Sequence, residues 1–102
     1  MALYEISIDA ENDLTEIAQY SLDKWGIKVF EQYKNGLIQT FNVIGNNEAI
    51  ERVVSKTLAD VFVTKYRCHF IFYLKSNNHK PTIIAVIHEQ RDILKHLLKR
   101  LQ

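Results

Sequence analysis

Apolar residues fall at Tyr4, Ile6 and Ile8 with polar residues between them. That period of two marks a half-buried strand over residues 3–9. The period then changes. Leu14, Ile17, Ala18, Leu22 and Trp25 recur at helical spacing, which lines them along one side of a helix. Asp9 fits the N-cap of that helix, with Glu11 and Asp13 in the first turn, where the positive end of the helix dipole favours carboxylates. Gly26 is its natural stop, because glycine adopts the left-handed conformation past a last turn. A second stripe, Phe30, Tyr33, Leu37, Phe41 and Ile44, follows at once and runs to Gly45-Asn46-Asn47. So short a link folds the two helices back as an antiparallel hairpin.

Residues 48–58 fit either a short helix or irregular chain. Beyond Ala59 the chemistry is that of strands. The segments 61–66 and 67–75 are rich in β-branched and aromatic residues, and Ser76-Asn77-Asn78-His79-Lys80 supplies turn formers. Pro81 suits only the first residue of a strand or an edge. Ile83-Ile84-Ala85-Val86-Ile87 is apolar on both faces, as a covered strand requires. A last amphipathic segment, 92–101, puts Ile93, Leu94, Leu97, Leu98 and Leu101 on one side and Lys95, Lys99 and Arg100 on the other. The order is β-α-α-(x)-β-β-β-α. Consecutive strands with short turns pair antiparallel, the hairpin covers one face of the sheet, and the class is α+β.

The 102 residues are 47% hydrophobic with three glycines and one proline, which describes one globular domain, residues 1–102, rather than a disordered or collagenous chain. Apolar runs such as Phe70 to Leu74 fall far short of the ~20 residues that span a membrane. The opening Met-Ala-Leu-Tyr-Glu lacks the basic and apolar regions of a secretory signal. Cys68 is the single cysteine and Asn-x-Ser/Thr is absent, so the expected compartment is the cytoplasm. Net charge is +1, yet its distribution is lopsided. Residues 1–51 carry three lysines against nine carboxylates, a net of −6, and residues 52–102 carry ten basic residues against three carboxylates, a net of +7. Such a split suits a two-faced protein with one surface for an acidic partner, provided folding does not interleave the halves.

Candidate chemistry is sparse. His69, His79, His88 and His96 show no metal-ligand spacing with one another or with Cys68, so no metal or cofactor is expected. Cys68 and His69 adjoin in sequence, but neighbours on a strand point to opposite faces, which makes Cys68 a buried, inert thiol. Phosphate-cradling glycine loops and common hydrolase signatures are absent. One enzymatic reading has substance: a metal-free ribonuclease. Lys65, Arg67, Lys75 and Arg91 would be its cations, and His69, His88 or Tyr66 its acid and base. No spacing ties those groups together, and the plainer reading makes them solvated strand charges, packing and a cap.

Several segments, in order, resemble one family. Asp13-Leu14-Thr15-Glu16-Ile17-Ala18-Gln19-Tyr20 with Trp25-Gly26 and Tyr33 is similar to the first helix and turn of ParE-type toxins in the RelE/ParE superfamily. His69-Phe70-Ile71-Phe72-Tyr73 resembles their central strand, and Ile87-His88-Glu89-Gln90-Arg91-Asp92 with His96-Leu97 resembles their C-terminal His-x-x-x-Asp…His-Leu signature. Two departures stand out. Asn46-Asn47-Glu48-Ala49-Ile50 replaces a Pro-Gly segment common before the second strand, and Gln90 and Arg91 occupy positions where Arg and Met are frequent.

The resemblance implies the toxin of a type II toxin–antitoxin pair. ParE members inhibit DNA gyrase, RelE members cut messenger RNA on the ribosome, and both are neutralised by an antitoxin with a flexible C-terminal segment, here ParD-like. A net charge of +1 and a leucine-lined C-terminal helix favour the gyrase branch over a polyanion-docking nuclease. No catalytic residue is then expected; the nuclease alternative would use Arg67, His88 and Arg91. A third possibility is a degenerate toxin that survives as an interaction or repressor subunit. Leu94, Leu97, Leu98 and Leu101, with Lys65 and Arg67, are the expected antitoxin contacts, though the last helix could equally pack on its own sheet. On the first view Leu97→Asp with Leu101→Asp weakens the antitoxin. His88, Arg91 and Lys95 are the candidates for the target; neither a membrane nor a specific nucleic-acid sequence is expected as a partner.

Overall fold

The computed structural model describes residues 3–50, 52–54, 60–76 and 78–101. Elements follow the order β1 (Glu5–Ile6), α1 (Ile8–Trp25), α2 (Ile27–Gly45), β2 (Arg52–Val53), β3 (Val61–Tyr66), β4 (His69–Leu74), β5 (Thr82–His88) and α3 (Ile93–Leu101). The class is α+β, as the sequence pattern implies. The sheet is broader than that pattern shows: five strands in the order β1-β5-β4-β3-β2. The pairs from β5 to β2 are antiparallel, whereas β1 lies parallel to β5, so the sheet is mixed. Inside the ambiguous 48–58 stretch, β2 pairs Arg52 with Val63 and Val53 with Phe62; residues 51 and 55–58 of that stretch lie outside the described residues.

The first strand is shorter than its alternation suggests. Ser7, not Asp9, caps α1, accepting the Ala10 amide on its hydroxyl at 3.1 Å. Ile8 thereby becomes the first helical residue and points to solvent. A single residue, Gly26, joins the hairpin's helices. At φ 87° its N–H closes α1 on the carbonyls of Ser21 and Leu22, and its own carbonyl accepts the Phe30 amide. Only glycine takes that backbone without strain. Further along α2, Gly36 admits the Tyr66 ring: a Cβ there would lie 1.7 Å from the Tyr66 hydroxyl.

Two cores result, one on each face of the sheet. Under the hairpin, Ala10, Leu37, Phe41 and Ile44 pack on Ile71, Tyr73, Ile83 and Val86. Under α3, Leu97 packs with Val61, Phe72, Ile84, Ala85 and Ile87. A register irregularity at Phe72/Tyr73 lets consecutive Ile84 and Ala85 both serve the second core, and β5 reads as apolar on both sides because a core covers each face.

Candidate functional site

At one end of the molecule the β3–β4 turn and the β5–α3 turn are tied together. The Glu89 amide donates to the Cys68 carbonyl at 2.8 Å, and Lys65 Nζ reaches Glu89 Oε2 at 2.6 Å. That cation, hydrogen-bonded to the carboxylate, holds the exposed Glu89 below its usual pKa. The β5–α3 turn is closed by His88, whose carbonyl accepts the Arg91 amide and whose Nδ1 accepts the Gln90 amide. Asp92 starts α3, its Oδ1 accepting the Lys95 amide at 3.2 Å.

Behind these turns lies a buried polar network. The Tyr33 hydroxyl from α2 meets Nδ1 of His69, the Tyr66 carbonyl at 3.4 Å and Cys68 Sγ at 3.6 Å. Cys68 Sγ is itself 3.5 Å from His69 Nδ1. The expectation of an isolated Cys68 on the opposite face from His69 is therefore corrected. Cys68 sits in the turn before β4, where strand alternation does not apply, and it is half-buried rather than sealed in the core. Next door, His69 meets the ring of its cross-strand partner His88 edge-on, centroids 5.2 Å apart. Burial, and then the neighbouring His88, push the His69 pKa down to about 4. Burial likewise drives the Tyr33 phenol well above its ordinary value, assisted by Cys68. Both groups are held neutral at pH 7, poor material for proton transfer at that pH.

An open groove of about 650 Å³ runs from this network along the joint between α1 and the β5–α3 side. Tyr20, Trp25 and Val29 form one wall; His88, Arg91 and His96 form the other. Its closed end is a clamp. Arg100 of α3 grips Asp13 of α1 through two contacts of 2.5 and 2.6 Å, and Asp13 Oδ2 also accepts the Val86 amide at 2.9 Å. Arg100 further donates to the Ile84 carbonyl at 3.1 Å. Hydrogen bonding to Asp13 outweighs desolvation and raises the Arg100 pKa. Side chains thus satisfy the edge of β5 where β1 has ended, a job otherwise done by another strand.

The residues singled out from sequence divide. His88 and Arg91 line the groove, whereas Arg67 does not. Arg67 stands on the β3–β4 turn at φ 52° with its Nε on the Tyr66 hydroxyl. Lys95 is exposed on α3. Of the four leucines, Leu97 is 1% exposed and belongs to the core, and Leu101 is half-buried against it. Leu97 is therefore corrected from partner contact to packing residue. Leu94, 61% exposed, and Leu98, 44% exposed, remain outward. Sequence reasoning missed Asp13, Arg100 and Tyr33 as a set, since nothing local links positions 87 or 36 residues apart. Among the described residues, no three His, Cys, Asp or Glu side chains gather as metal ligands, and no helix is long and apolar enough to cross a membrane.

The family model for the ParE toxin of the type II toxin–antitoxin system parDE matches residues 4–93. The chain belongs to the ParE toxin family. Toxin ParE of Escherichia coli is 24% identical over 102 residues, spanning all of this chain and 99% of that relative. Both turns, the Tyr33 network and the groove's aromatic wall fall inside the ParE match; Leu94, Leu98 and Arg100 of α3 lie just past its end.

Proposed function

We propose that this ParE-family toxin acts in the cytoplasm by inhibiting DNA gyrase and is silenced by a ParD-like antitoxin. What carries the reading is the state of the histidines. His88 spends Nδ1 on the Gln90 amide, and His69 is kept uncharged by burial. Arg67 is held as well, its Nε on the Tyr66 hydroxyl, so His69, His88 and Arg67, three of the groups an RNA-cutting toxin would draw on, make contacts within the fold, while Arg91 lines the groove. A protein that works by binding a protein needs no such group, and no cofactor or metal.

The antitoxin's flexible segment, in this reading, covers the outer flank of α3. Leu94 and Leu98 are exposed there, Leu101 is half-buried beside them, and Lys95 supplies positive charge; of the two cations expected to join them, Lys65 is paired with Glu89 and Arg67 turns its Nε to the Tyr66 hydroxyl on the hairpin side. A disordered acidic chain can fold onto such a strip, trading ordering entropy for buried leucine surface. Purified chain added to gyrase and relaxed plasmid is expected to block supercoiling, and the antitoxin to restore it. Uninhibited supercoiling, with messages cut at ribosomes instead, would replace the gyrase reading by the nuclease one. Normal growth of cells expressing the chain without antitoxin would point to a degenerate toxin.

A further inference from the structure

The helical stripe of α1 places Leu22 and Trp25 on the buried side, but the folded chain leaves both outside. Trp25 is 58% exposed, as is Tyr20, while the polar Ser21 is buried. Lys24 sits over both rings, 5.3 Å from the Tyr20 centroid and 5.6 Å from that of Trp25. An aromatic wall held open to solvent contradicts the pattern that forms the rest of the hairpin, and such local contradictions concentrate at working surfaces. Across the groove stands Arg91, whose guanidinium has no hydrogen bond or ion pair among the described residues. The carboxylates lining the groove, Asp13 and Glu16, act on Arg100 instead.

We infer that the groove between Trp25 and Arg91 seats the toxin's target, as a protein segment that lays an apolar side chain on the aromatic wall and offers a carboxylate to Arg91. Complementarity selects that occupant. Trp, Tyr and Arg are the residue types that dominate interface energetics, and about 650 Å³ accommodates a few side chains of an inserted segment. An uncompensated arginine opposite an aromatic wall selects a carboxylate next to an apolar anchor. The surface is separate from the Leu94/Leu98 flank of α3, so target and antitoxin contact different parts of the toxin. The identity of the target as gyrase rests on the reading above; the location of its seat rests on the groove.

Trp25 is the single tryptophan, so toxin labelled with 5-fluorotryptophan gives one ¹⁹F resonance from the groove wall. Adding gyrase is expected to shift or broaden it. Arg91→Glu and Trp25→Ala are expected to raise the concentration needed to block supercoiling by about tenfold or more, with unchanged melting temperature; Arg91→Lys, which keeps the charge, is expected to lose less. If wild-type toxin blocks supercoiling while the resonance stays put and the folded variants remain within about twofold of it, the seat is elsewhere and the inference alone fails. If wild-type toxin leaves supercoiling untouched, the gyrase reading fails and takes this one with it. Sedimentation showing a toxin dimer that Trp25→Ala dissolves would make the groove a self-interface and overturn the proposal.

Discussion

The two faces of the sheet are finished to different degrees. The hairpin face is covered by helices of 18 and 19 residues, and three large side chains of α2, Leu37, Phe41 and Ile44, are buried against it. The other face has one helix of nine residues whose only buried residue is Leu97. Charge follows the same division. The hairpin carries six carboxylates and three lysines, whereas α3 carries Lys95, Lys99 and Arg100 and no acid. The lopsided halves thus become lopsided elements, although Arg100 of α3 crosses to Asp13 of α1 and Arg91 shares the groove with Glu16. With one face closed and the other only partly covered, the apolar, cationic surface around α3 supports the proposed antitoxin flank.

Hollowing out each core in turn separates the two faces most strongly. Phe41→Ala is expected to cost about 3–5 kcal/mol and Leu97→Ala about 2–4 kcal/mol in chemical denaturation. The mode of loss should differ as well. Without Phe41 the whole chain loosens; without Leu97, α3 is expected to detach first, its amides exchanging with deuterium well before those of β4 and β5. Equal protection of α3 and the strands in Leu97→Ala would mean that the short helix is as integral to the fold as the hairpin. Leu97→Asp, attractive from sequence as a probe of antitoxin binding, tests folding instead, because it buries a carboxylate among Phe72, Ile84 and Ile87.

Much of this arrangement is written locally. The hairpin, β3 to β5 and α3 each carry their own periodicity, and Gly26 and Asp92 announce the boundaries they occupy. What is missing from the local pattern is whatever depends on a distant partner. Two residues of β2 become a strand because β3 offers an edge, and β1 turns parallel because the long hairpin carries the chain away before β5 arrives. The start of α1 shifts to Ser7 because strand pairing ends with Ile6 opposite Ile83 and frees the serine to cap. The site suffers most. Asp13 and Arg100 lie 87 positions apart, and the neighbours Cys68 and His69 converge on Tyr33 only because the first occupies a turn. Trp25 obeys the helical spacing yet stays outside, a conflict visible only once burial is known.

Acid offers an intermediate test, since it attacks the hairpin face through one group. His69 packs against Tyr33, Cys68 and His88, and Asp13 and Glu89 also act on its charge. Its pKa is about 4 in the fold against an ordinary 6.5. As pH falls, the unfolded chain takes the proton first, so this contribution is complete above pH 6.5 and drains away between 6.5 and about 4, by about 3 kcal/mol. Denaturation midpoints measured from pH 7 to 4 should show it, and His69→Phe should remove that part of the slope. An identical slope in the variant would mean that His69 charges freely, and the buried network would lose its meaning.

The smallest effect on stability belongs to the far face, and there smallness is the point. Leu94 and Leu98 project from α3 while Leu97 anchors it, so Leu94→Asp with Leu98→Asp should change folding free energy by only about 0.5 kcal/mol. Exposed leucines contribute little until something covers them. Each is worth about 1.5–3 kcal/mol when fully buried, part of which the partner loses in ordering its own chain. The double variant is therefore expected to bind antitoxin about tenfold or more weakly by calorimetry, with an unchanged melting curve. A carboxylate pair there also opposes an acidic tail drawn by Lys95 and Lys99, so Leu94→Ser with Leu98→Ser, which removes apolar area without adding charge, should fall between wild type and the aspartate form. Should both variants bind like wild type, the antitoxin would not use this flank, and the exposed leucines would need another explanation.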